Sequence, residues 1–145
     1  MRNTRRAILL LLIVNGCRES TNNSLKKLTA ELQDLSGKQT TVELTTITSK
    51  SWSELYVVGP YTAFEDLPNF VALDQRFVDT GIDKYDSIAV LAYAFHREVS
   101  EIVAIPRGVV DLAPLAGSVL KPPGCIRVEG SPPRATSCSA ADAVR

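Results

Sequence analysis

The stretch Ser87 to Phe95, "SIAVLAYAF", constrains the fold most. Successive side chains of a β-strand point to opposite faces, and this run is apolar on both. It therefore belongs in the middle of a sheet that is covered on at least one side. His96, Arg97 and Glu98 make a charged turn, and Val99 to Ile105 returns as the partner strand up to Pro106. A chain of 145 residues, 45% hydrophobic and 22% charged, has the size and composition of one ordinary globular domain.

The flanking segments supply the rest. Leu25, Leu28, Leu32 and Leu35 recur at three- and four-residue steps, which predicts a helix with Asn23 or Ser24 as N-cap and Gly37 as its stop. Gln39 to Thr48 alternates Val42 and Leu44 with threonines and reads as a half-exposed strand. A second strand starts at Trp52 in "WSELYVVGPYT" and ends at Gly59-Pro60, since proline offers no N–H to a ladder. Thr62 and Glu65 form a capping-box pattern, and Pro68 falls inside the helix that would follow, so a broken helix is expected. Residues 109–117, "VVDLAPLAG", suit a helical turn or a loop, and Cys125 to Glu129 is a last short strand. From Gly130 the Ser, Pro, Ala and Thr content predicts a disordered tail over 130–145. The expected fold is α+β: one mostly antiparallel sheet of about five strands, an N-terminal helix and a broken second helix.

Chemistry is sparse. Lysine plus arginine equal aspartate plus glutamate at 16 each, which gives no basic surface for nucleic acid. No HExxH, CxxC, phosphate-cradling glycine loop or nucleophile elbow occurs, so no metal site and no cofactor are expected. The one histidine, His96, reads as an exposed turn residue. Ser24-Leu25-Lys26-Lys27 has the S-x-x-K spacing that sets a lysine one turn from a serine nucleophile, but the companion SDN and KTG motifs are missing and helix capping explains Ser24. Glu54, Glu65, Asp66, Asp74 and Asp79 read as solvated surface. Trp52, Tyr56 and Tyr61 are candidates for a shallow binding patch, with packing of Trp52 and Tyr56 under a helix as the alternative.

The amino-terminal segment carries the strongest signal. Arg2, Arg5 and Arg6 precede an uninterrupted apolar run from Ala7 to Val14. A spanning helix needs ~20 apolar residues, so this shorter run behind positive charge has the layout of a cleavable export signal. Val14-Asn15-Gly16-Cys17 then resembles the bacterial lipobox, in which the cysteine receives diacylglycerol on sulfur and the chain is cut just before it. A plain secretory signal cut elsewhere and an uncleaved anchor helix are the alternatives. Residues 1–16 are thus read as a lipoprotein-type signal, 17–23 as a lipidated tether and 24–129 as the domain. Arg18, where the family associates aspartate with inner-membrane retention, points to the outer membrane facing the periplasm if the organism is Gram-negative. Lipid on Cys17 leaves Cys125 and Cys138 as an even pair that an oxidising envelope would allow to join, the alternative being two free thiols.

Trp52, Tyr56 and the triplet Pro60-Tyr61-Thr62, followed by a hydrophobic hairpin and a late strand, resemble a family of uncharacterised small bacterial lipoproteins over about Trp52 to Val128. That resemblance implies location and fold but no activity. The expected function is a non-enzymatic, lipid-anchored envelope module with an envelope protein or cell-wall partner; a small serine hydrolase using Ser24 and Lys27, or a plain secreted domain, is the alternative.

Overall fold

The structure, a computed structural model, describes residues 23–30 and 39–138. Residues 23–30 are helical and form α1. Strand β1 (Thr40–Glu43), a one-turn helix α2 (Leu44–Ile47) and β2 (Glu54–Val58) follow. A 3-10 turn (Phe64–Asp66) and the short helices α3 (Asn69–Ala72) and α4 (Gln75–Val78) lead to β3 (Ile88–Phe95) and β4 (Glu98–Pro106). A second 3-10 turn (Ala113–Leu115), β5 (Val119–Leu120), β6 (Cys125–Glu129) and β7 (Arg134–Ser137) complete the described chain.

The fold is a single small α+β domain with two open antiparallel sheets, a four-stranded one ordered β4-β3-β2-β5 and a three-stranded one ordered β1-β6-β7. Among the described residues, seven strands in two sheets replace the expected single sheet of about five. The alternation on β3 explains the layering. Ala89, Leu91 and Tyr93 face one side, joined by Leu55 and Val57 of β2 and Val103 and Ile105 of β4. On that side lie Leu28 of α1, Leu44 and Ile47 of α2, and Val42, Ile126, Val128 and Ala135 of the small sheet. Val90 and Ala92 face the other way, with Val58 and Ile102, onto Val71 of α3, Phe77 of α4 and Ile82. Sheet β4-β3-β2-β5 is therefore the middle layer, and β3 is interior to it, as its two apolar faces demand.

Several segments differ from expectation for local reasons. The strand expected over Gln39 to Thr48 stops at Glu43, because Leu44 and Ile47, three apart, both turn into the core as one helical turn. The Thr62–Glu65 capping box does not form: Ala63 is the N-cap of the 3-10 turn and makes no side-chain cap bond, while Thr62 Oγ1 donates to the Gly59 carbonyl at 2.8 Å. The broken helix is real, and Pro68 stands as N-cap of α3 at the break. Asp74 caps α4 by accepting the Arg76 N–H at 2.9 Å. Part of the segment expected as a structureless tail is strand: Arg134–Ser137 pair with β6, and the Ala135 N–H donates to the Asp111 carbonyl at 2.9 Å. The Cys125–Cys138 disulfide, with Cα atoms 5.5 Å apart, fixes the end of that strand. Leu32, Leu35, Gly37, Cys17 and the whole signal segment lie outside the described residues.

Candidate functional site

Alternation places Glu101 of β4 on the same inward face as Val103 and Ile105. It is 3% exposed, and a buried carboxylate needs donors in place of its lost hydration. Two come from distant segments. Ser24 Oγ of α1 donates to Oε1 at 2.6 Å, and Thr48 Oγ1, just after α2, donates to Oε2. Glu101 also stands opposite Tyr93 in the β3–β4 register, beside the irregularity at Tyr93/Ala94. The Tyr93 hydroxyl is buried and has no hydrogen-bond partner among the described residues. Burial, and then the negative charge of Glu101, push its phenol well above the ordinary tyrosine range. Trp52 packs edge-on against the Tyr93 ring at 5.5 Å. Through Glu101 both α1 and the segment after α2 are joined to the central sheet.

Ser24 is therefore neither exposed nor an N-cap; it is a buried helical residue whose hydroxyl is committed to Glu101, while Lys27 lies exposed. Glu101 is the base nearest to hand for Ser24, but with both groups buried the pair acts as a structural lock. Sequence reasoning missed Glu101, Tyr93 and Thr48 as a group. One signal was present: a lone charge at the inward position of the otherwise apolar "EIVAI".

The aromatic patch is not assembled. Regular alternation from Trp52 would set it beside Tyr56, yet β2 begins only at Glu54, with the Ser53 N–H donating to the Ala94 carbonyl at 2.8 Å. Trp52 consequently turns to the inner core with Tyr93, whereas Tyr56 packs on Phe70 on the opposite face, ring centroids 5.9 Å apart. Tyr61 is 63% exposed at φ 58°. The Tyr56 hydroxyl donates to Glu54 Oε2 at 2.9 Å. Burial, followed by that bond and the Glu54 charge, pushes Tyr56 up to about 12, with Arg97 working against the shift.

The other acids are spread apart, and Glu65 and Asp66 are exposed. For Asp74, burial works to raise the carboxyl, but the Arg76 guanidinium at 2.7 Å and the N–H groups of Arg76 and Phe77 hold it below the usual range. Asp79 accepts from Gln75 at 2.7 Å. Asp111, which sequence reading did not single out, is held low first by the Ala113 N–H, against burial, and then by Arg107 and Arg134. His96 is exposed at the β3–β4 turn, its ring edge-on to Phe95. Among the described residues no group of three or more His, Cys, Asp or Glu could hold a metal ion, and no helix is long and apolar enough to cross a membrane.

Fold and site together define a small α+β domain in which the first helix and the segment after α2 are tied to the central sheet at a buried glutamate. No protein-family model, curated protein or solved structure matches the chain.

Proposed function

We propose that this is a lipid-anchored bacterial envelope protein, attached through Cys17, whose domain serves as a binding module for an envelope protein or cell-wall partner. The observation that carries the reading is the apolar run Ala7 to Val14 behind three arginines and closed by Val14-Asn15-Gly16-Cys17. Two further observations support it. The Cys125–Cys138 bond suits an oxidising compartment such as an envelope. Engagement of the Ser24 hydroxyl by buried Glu101 leaves the S-x-x-K serine without the access a hydrolase needs, which favours binding over catalysis. One acyl chain holds a membrane only marginally and two or three hold it durably, so the domain works tethered.

The test is Cys17→Ser expressed beside wild type with a labelled fatty acid, followed by separation of membrane and soluble fractions. Wild type takes up label and stays with membranes; the serine variant does neither. An unlabelled wild type, or a variant equally membrane-bound, removes the lipoprotein reading.

A further inference from the structure

The structure places the origin of the tether next to an apolar and basic tip, and we propose that this tip, the β3–β4 turn, rests on the anionic bilayer to which Cys17 is anchored. The inference rests on the lipid-anchor reading. Asn23, the first described residue of α1, lies six positions after Cys17, and a fully extended chain of that length reaches roughly 20 Å. Ser24, the next residue, is fixed to Glu101 of β4 at 2.6 Å. From Glu101 back to Arg97 is ~13 Å of strand at the usual rise per residue. That reach keeps this end of the central sheet close to the lipid surface.

The tip has the composition such a surface selects. Phe95 is 41% exposed, and its ring meets only the edge of His96 among the described aromatics, with centroids 4.1 Å apart. His96 and Arg97 both adopt positive φ, 51° and 64°, so the turn is a tight two-residue one that holds Phe95 and Arg97 at the extremity. Two exposed lysines lie toward the same end: Lys50, whose N–H donates to the Thr48 hydroxyl beside Glu101, and Lys121, which follows β5 where Leu120 pairs with Leu55. Against them stand Glu98 and Glu54, the latter bonded to Tyr56, while Asp74 is neutralised by Arg76, whose guanidinium donates to the Val99 carbonyl beside the turn. At the far end of the same sheet Asp83 and Asp86 outnumber Lys84, and Arg107 is engaged by Asp111. An exposed apolar ring at the extremity with cations toward the same end is a combination suited to anionic headgroups.

The test uses the full lipidated chain in vesicles of phosphatidylethanolamine and phosphatidylglycerol, with and without acyl chains brominated near the headgroup. Phe95→Trp is compared with Tyr61→Trp, from the exposed turn after β2, and with wild type, whose buried Trp52 sets the background. The expected result is at least a two-fold loss of emission from the Phe95→Trp protein with brominated lipid, and little change for Tyr61→Trp or wild type. Adding Arg97→Glu and Lys50→Glu to the Phe95→Trp chain, or moving it to phosphatidylcholine vesicles, restores the emission. Hydroxyl-radical footprinting of wild type supplies a readout without the added indole: Phe95 and His96 are protected in vesicles and not in detergent. With lipid on Cys17 verified by intact mass, an unquenched Phe95→Trp protein and unprotected Phe95 in wild type overturn the contact and leave the anchor standing. Absence of the lipid mass overturns both.

Discussion

At the scale of single residues, stability concentrates where a polar group is buried among partners that arrive from elsewhere in the chain. Glu101 receives hydroxyl donors from Ser24 and Thr48, 77 and 53 residues away in sequence. Removing the carboxylate leaves both donors buried and unmet, so Glu101→Ala is expected to cost about 3 kcal/mol, and Glu101→Gln less because one acceptor oxygen remains. Tyr93→Phe should move the other way or not at all, by up to ~1 kcal/mol, since it deletes a hydroxyl without a partner among the described residues. Urea midpoints with unchanged m-values check all three, and a Tyr93→Phe loss beyond ~1 kcal/mol would mean that hydroxyl is bonded after all. Tyr56 and Tyr93 also give a pH dependence. Both phenols are raised in the fold, so their contribution is whole below the unfolded tyrosine value of 10.0 and declines as pH climbs towards about 12, where Tyr56 ionises. The urea midpoint of wild type should therefore fall with pH across that window, and Tyr56→Phe should flatten part of the slope. A slope identical in the variant would remove Tyr56 from the explanation.

At the scale of elements, the β3–β4 hairpin shows both what a sequence discloses and what it hides. The apolar run and its returning partner specify the two strands unaided, because period-two burial on both faces has few other solutions. The turn itself is less favourable than its strands. His96 and Arg97 sit in the left-handed region, where a side chain costs roughly 1 kcal/mol relative to glycine and asparagine is among the better tolerated residues that carry a Cβ. The double substitution His96→Asn with Arg97→Gly installs the dipeptide such turns prefer and should raise stability by about 1 kcal/mol in thermal or urea unfolding. A loss would show that the two native side chains hold the turn through contacts of their own. The elements that escape the sequence are those whose signal lies in other segments. β7, "RATS", buries only Ala135 fully and exists because β6, Asp111 and Cys138 surround it. α2 breaks the threonine-rich strand because Leu44 and Ile47 share one core, and the Leu44 N–H finds the Gly124 carbonyl at 2.6 Å. Gly124 itself has positive φ, and a Cβ there would fall 2.7 Å from the Trp52 ring, so the turn before β6 and the aromatic core depend on each other. The face Trp52 takes is hidden for the same reason: where a strand begins is a tertiary fact, and one residue of offset reverses every face.

For the whole molecule, the question is what keeps the small sheet closed on the large one. Its inward side chains, Val42, Ile126, Val128 and Ala135, are buried against the central sheet, yet β7 has only four residues with which to complete it. Two ties hold it. Asp111 links the chain after β4 to β7: its N–H donates to the Pro133 carbonyl at 2.8 Å, and its carbonyl accepts from the Ala135 N–H. The Cys125–Cys138 bond closes the loop between the start of β6 and the residue after β7, 13 positions apart. Closing a loop of that size removes unfolded-state entropy equivalent to ~3 kcal/mol, a large share of the ~5–15 kcal/mol by which domains are usually stable. Intact mass and thiol labelling of the exported protein should find both cysteines blocked before reduction and both labelled after it. The Cys125→Ser/Cys138→Ser variant should lose ~3 kcal/mol in urea unfolding. Hydrogen exchange separates a local role from a global one. If the bond serves to seat β7, amides of Arg134 to Ser137 and of their β6 partners exchange faster in the variant by a larger factor than those of β3, which lies interior to the other sheet. Equal acceleration everywhere would show that β7 and the central sheet open as one unit, and freely labelled thiols in the unreduced protein would refute the bond outright.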